Sequence, residues 1–150
     1  MPQFPANLSG INDPDRLLRL TLEYFSAETG TIHVMEQDGM LHLRAVAGSI
    51  PPPVLEAVRV IPVGKGLAGL AVERSEPVTV CNLQTDSSGA AKPAARSTGV
   101  QGSICVPMML DGKPVGALGI GTYRERTFTE DEIATLLQAG REMGKELWNS

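Results

Sequence analysis

The chain has 150 residues, 42% hydrophobic and 20% charged, with a formal net charge of -4, which is the make-up of one ordinary domain large enough to bury a core. Its Lys and Arg are scattered, and the one local knot, Arg124-Glu125-Arg126, is interrupted by an acid, which excludes a nucleic-acid groove built on clustered positive charge. No apolar run approaches the roughly 20 residues of a membrane helix, and "MPQFPANLSGINDPD" lacks the basic-then-apolar layout of a signal peptide, so the expectation is a cytoplasmic protein without membrane attachment.

Residues 1–12 carry two prolines, two asparagines and no periodicity, and read as a flexible lead-in to a single domain over 13–150. "NDPDRLLRLTLEYFSAETG" then predicts a helix: Asn12 or Asp13 caps it, Pro14 lies in its first turn and Gly30 stops it. Leu17, Leu18, Leu22 and Phe25 form its apolar stripe. In "TIHVMEQDGMLHLRAVAG" two alternating runs flank Asp38-Gly39, a hairpin turn. After Pro51–Pro53 come a short helical turn, a loop, a brief helix over 67–74 and a strand over 77–81. Residues 82–100 are small, polar and unpatterned, a long loop of the kind that carries function or moves.

"GSICVPMMLDGKPVGALGIG" supplies two more strands around Asp111-Gly112. The second is rich in glycine, which loses packing area in a strand interior, so another backbone or a ligand must use the space. Val115, Ala117, Gly119 and Gly121 alternate with Gly116, Leu118 and Ile120. The large pair suits a helix-packed face, and the small residues suit a face with volume left open. The rival expectation is a helix backbone against the glycines, with Gly140 and Gly144 opposite. The last helix is the clearest: Thr129 and Glu132 form a capping box, Phe128 staples against Ile133, and an apolar stripe runs to Leu147. Two hairpins with helices at both ends describe an α+β fold, a central antiparallel β-sheet with the N- and C-terminal helices on one face.

Three pieces in this order, "IPVGKGLAGLAVERSEPVTV", "GVQGSICVPMMLDGKPVGALGIG" and "RTFTEDEIATLLQAG", resemble the GAF domain, the small-molecule sensory module of signalling proteins, over about residues 14–147. The resemblance implies a ligand pocket on the sheet face away from the terminal helices, roofed by the middle of the chain. It names no ligand, and no cofactor is assigned.

Specific chemistries fare less well. Gly64, Gly66 and Gly69 spell G-x-G-x-x-G, but a strand follows at Pro77, too soon for a dinucleotide-binding crossover; Lys65 with the amides of Gly66 to Ala68 suits an anionic ligand group instead. One GAF branch reduces free methionine sulfoxide through pocket cysteines; this chain has Ala68 where that branch has cysteine, and none in 82–100, so a thiol–disulfide relay lacks its partners. Cys81 and Cys105 have no metal-ligand spacing. Cyclic-nucleotide binders resembling this fold carry an Asn-Lys pair where this chain has Asn82-Leu83, and Asp131-Glu132 reads as first-turn helix acids. His33 and His42 read as exposed strand histidines and not as haem ligands, and the cysteines do not match a bilin attachment site. No nucleophile–base pair stands out, so no enzyme is expected.

The reading that results is a sensory domain binding a small organic molecule, with Leu67 and Leu70 from the roof, Asn82 from the loop, Ser103 and Cys105 from one strand, and Ala117 and Gly119 from the next. The alternative is a homodimerisation module pairing through the terminal helices by way of Gly140 and Gly144, with a signalling protein as a further partner.

Overall fold

The computed structural model describes residues 3–80 and 99–148. Helix α1 (Pro14–Phe25) starts at Asp13, whose side chain accepts from the Asp15 amide at 3.1 Å. It ends at Ser26, which takes the left-handed conformation (φ 53), and not at Gly30, which lies inside the first strand. Strands β1 (Thr29–Met35) and β2 (Leu41–Ala47) form the expected hairpin, with Gly39 at φ 76 in its turn. Helix α2 (Pro52–Val58), the two-residue strand β3 (Val60–Ile61), helix α3 (Gly66–Arg74) and strand β4 (Val78–Val80) follow. Strand β3 was illegible in the sequence because two residues carry no alternation. Strands β5 (Gly102–Leu110) and β6 (Lys113–Thr122) meet at Asp111 and Gly112, both at positive φ (51 and 78), as a two-residue hairpin loop requires. Helix α4 (Glu130–Leu147) opens on the expected capping box, made in both directions at 3.1 and 2.9 Å.

The six strands form one antiparallel sheet in the order β3-β2-β1-β6-β5-β4. Helices α1 and α4 cover one face, where Leu17, Leu18, Ile32, Val34, Val106, Leu118, Ile120, Leu136 and Met143 make the main core. Helix α3 packs on the other face over Leu41, Ile61, Cys105 and Ala117. The expected α+β layering is therefore present. Residues 3–12, read from composition as a flexible lead-in, instead join the helix layer. Leu8 is fully buried in the main core, Phe4 stacks on Tyr24 at 4.5 Å, and the Gly10 amide donates to Glu146 at 3.0 Å. One apolar residue in the right place outweighed a loop-like composition.

Two local corrections concern glycine. Val115 does not share a face with Ala117. A bulge between Met108 and Met109 leaves it without a partner across β5, and it turns into the helix-side core. Gly140 and Gly144 lie against this chain's own sheet, Gly140 facing Pro107 and Met108 and Gly144 facing Val115, so they are not on an outer helix face open to a second copy. A Cβ on Gly144 would sit 3.4 Å from the Val115 side chain, ordinary contact. Gly144→Ala is therefore expected to raise stability by about 0.5–1 kcal/mol through helix propensity, read as a higher urea midpoint at unchanged slope.

Arg126, half of the basic knot, has a structural task. Its guanidinium donates to the Phe25 carbonyl at 2.6 Å and to Glu132 at 2.5 Å, and lies 4.7 Å over the Phe128 ring. It ties the end of α1 to the start of α4.

Candidate functional site

On the sheet face away from α1 and α4, a cavity of about 190 Å³ opens beneath α2 and the start of α3. That is far above the roughly 10–15 Å³ needed to hold a single water. Its floor comes from alternate positions of three neighbouring strands: Thr29, Thr31 and His33 of β1, Gly119 and Gly121 of β6, and Ser103 and Cys105 of β5. Val54, Ala57 and Val58 of α2, with Ile61, form a wall, and Lys65 to Ala68 close it. The lining is mostly apolar with a few polar groups, the usual character of a small-molecule site.

Register explains why the floor is open. Gly119 pairs with Thr31 on one side and Cys105 on the other. A Cβ there would come within 2.8 Å of the Cys105 sulfur and 3.2 Å of the Thr31 hydroxyl. The absent side chain leaves the middle of the floor empty while the flanking residues stay upright.

Of the seven candidate site residues, Leu67, Ser103, Cys105 and Gly119 line the cavity. Leu70 and Ala117 do not. Both pack in the apolar cluster between α3 and the sheet, because the cavity lies over the start of α3 and Leu70 sits farther along that helix. Asn82 falls outside the described residues, as do Cys81 and most of the 82–100 loop. The α2 wall was missed, although Val54 and Val58 stand one helical turn apart after the proline run and could have signalled a buried face.

The larger omission is His33, read as an exposed strand histidine. It is 1% exposed and lines the cavity. Its Nε2 lies 2.8 Å from the Val58 carbonyl oxygen. A carbonyl only accepts, so Nε2 carries the hydrogen and donates. Nδ1 is buried and has no hydrogen-bond partner among the described residues. The available clue was parity: Ile32 and Val34 enter the helix-side core, so the residue between them must face the other layer. His42, in contrast, is partly exposed, with Nε2 2.8 Å from Asp38.

Burial holds the His33 pKa below its ordinary 6.5, with the Val58 hydrogen bond opposing and His42 adding to the depression. The folded state therefore keeps this imidazole neutral where the unfolded chain binds a proton. Its contribution to stability is complete above about pH 6.5 and declines as pH falls from there towards the depressed folded value. Urea unfolding between pH 7.5 and 5.5 is expected to show that loss, and His33→Gln to flatten the profile.

Burial also pushes the Cys105 thiol up to about 12. At neutral pH burial keeps this thiol protonated, so Cys105 serves as a small apolar wall residue. Among the described residues no cluster of His, Cys, Asp or Glu has the arrangement of a metal site, and no helix is long and apolar enough to cross a membrane. The G-x-G-x-x-G run is a loop-to-helix turn: the Gly64 amide (φ 92) donates to the Gly69 carbonyl at 2.9 Å, and Gly69 lies against the Pro62 carbonyl.

The sequence matches the profile of the GAF domain family over residues 12–145. No curated protein matches it in sequence. Among solved structures it is similar to the free methionine-R-sulfoxide reductase of Neisseria meningitidis in complex with its substrate, with TM-score 0.76, 18% identity, and 96% of this chain and 83% of that one covered. It is also similar to the type II free methionine-R-sulfoxide reductase of Thermoplasma acidophilum, with TM-score 0.70, 22% identity, and coverage of 88% and 87%. A third is the GAF domain of Acinetobacter phosphoenolpyruvate-protein phosphotransferase, with TM-score 0.74, 18% identity, and coverage of 97% and 93%. At such identities the likeness is one of fold, and fold does not fix activity.

Proposed function

This chain belongs to the GAF domain family, and from that premise we propose that it is a sensory module that binds a small organic molecule and does no chemistry on it. The observation that carries the reading is the cavity itself: a mostly apolar chamber over a floor opened by Gly119 and Gly121, with polar groups at a few points of its wall. Absence of catalysis is supported by the state of Cys105, whose thiol stays protonated, and by Ala68 standing where the reductase branch carries cysteine. Output would pass to a signalling partner or to a second copy of the chain through the outward sides of α1 and α4, since Gly140 and Gly144 are used inside the fold.

A thermal-shift screen of the purified chain against nucleotides, amino acids, oxo-acids and aromatic acids tests the binding claim. At least one compound is expected to raise the melting temperature in a saturable way, and uniformly flat responses would overturn it. Incubation with free methionine-R-sulfoxide and a thiol reductant tests the rest. No turnover is expected, and turnover abolished by Cys105→Ala would make the chain an enzyme.

A further inference from the structure

The floor of the cavity holds two hydroxyl groups that the fold itself does not use. Thr29 and Thr31 are alternate residues of β1, opposite Gly121 and Gly119 of β6. A Cβ on Gly121 would stand 2.7 Å from the Thr29 Oγ1, and one on Gly119 would stand 3.2 Å from the Thr31 Oγ1. Both oxygens therefore lean over the glycine row. Neither side chain makes a hydrogen bond among the described residues. Only Asn7 and His33 among those residues carry a side-chain polar atom that is both shut off and unpartnered, so the threonine oxygens keep open surface in the chamber they line. Thr29 is 6% exposed as a residue, which leaves its hydroxyl little to bond except what enters the chamber. Ser103 differs, because its hydroxyl already donates to the Ile120 carbonyl at 3.5 Å.

Charge is the second constraint. Among the described residues no Asp or Glu lines the cavity, Lys65 is exposed, and burial keeps His33 uncharged. An ion brought onto this floor would lose its water and gain no counter-charge, which is costly. A hydroxyl both donates and accepts, so a neutral alcohol, carbonyl or amide can meet either threonine without that cost. Size adds a third limit. An apolar cavity of about 150 Å³ holds benzene, so about 190 Å³ admits a single ring with one substituent.

Resting on the sensory reading above, we infer that Thr29 and Thr31 are the polar recognition points of the pocket and that its ligand is a small uncharged molecule, an apolar body bearing a hydroxyl, carbonyl or amide group.

The test uses matched single-ring compounds titrated against the full chain by ¹⁵N–¹H chemical shift. Benzamide is set against benzoate, phenylmethanol against benzylammonium, and toluene supplies the same frame without a hydrogen-bonding group. In at least one pair the neutral member is expected to bind at least about tenfold more tightly than the charged one, and more tightly than toluene, with shifts at the Thr31 and Gly119 amides. Thr29→Val and Thr31→Val keep the side-chain shape and remove the hydroxyl. At least one of them should weaken the preferred neutral compound about three- to tenfold, the worth of one neutral hydrogen bond, and leave toluene unchanged. Thr29→Ser and Thr31→Ser retain the hydroxyl and should retain the preference. Should the valine variants not fold, the compound series on the wild type still decides. Tighter binding of both charged members, toluene equal to the neutral pair, a preference that both valine variants leave intact, or no binding by any of the five compounds would each overturn the inference. The sensory reading would survive all four outcomes if other compounds bind in the broader screen.

Discussion

Gly116→Ala is expected to destabilise the fold by about 3 kcal/mol or more, among the largest effects a one-carbon addition can have here. Gly116 lies in β6 between β1 and β5, paired with Val34 and Met108. A Cβ there would run into the His33 carbonyl and lie 3.2 Å from the Met108 sulfur. The obstruction is backbone, and that backbone belongs to a central strand held on both sides, so it cannot step aside cheaply. For a domain of this size the loss corresponds to a drop of roughly 6–12 °C in melting temperature. Calorimetric melting of the variant measures it directly, and a change under 2 °C would mean that β1 and β6 are not packed as described.

Three residues along the same strand, Gly119→Val is expected to act on binding. Its side chain would rise between Thr31 and Cys105 into the floor of the cavity. Any compound held by the wild type in that chamber should lose at least a hundredfold in affinity, since displaced volume cannot be recovered by a ligand that already fits. Stability should fall by about 1–3 kcal/mol from overpacking. Because the nearest obstruction is the Cys105 sulfur, 2.8 Å from the new Cβ, Cys105→Ala in the same chain should restore part of that stability, and the two changes should be non-additive. Titration of a confirmed ligand against the single and double variants decides the matter: unchanged affinity in Gly119→Val would place the binding site elsewhere.

These two glycines answer the puzzle of β6 in different ways. At Gly116 the missing side chain admits a neighbouring strand's carbonyl, and at Gly119 it leaves room for a guest. The rival expectation, a helix backbone pressed on the glycines, applies to neither. Helix α4 brings its own glycines to β5 and Val115.

Much of the architecture was legible because its signals are local. The capping box at Thr129, the Asp38-Gly39 and Asp111-Gly112 turns and the apolar stripes of α1 and α4 each depend on a few adjacent residues, and each stands as read. Where a decision required knowing what lies across the sheet, the reading failed. Alternation grouped Val115 with Ala117, but a bulge in β6 at Val115 itself reversed it. Composition marked residues 3–12 as loose, yet Leu8 found the main core.

The chain's own order of residues determined the class of fold, the place of each hairpin and the undersized positions in β6, since these follow from backbone preference and periodicity over short stretches. Tertiary structure alone decided the site. It brought α2 over the sheet, set the start of α3 on the same chamber and buried His33 with one nitrogen bonded and the other unpartnered among the described residues. The physical reason is that a side chain's charge state and hydrogen bonding depend on solvent exclusion and on neighbours distant in sequence, here 25 residues away at Val58.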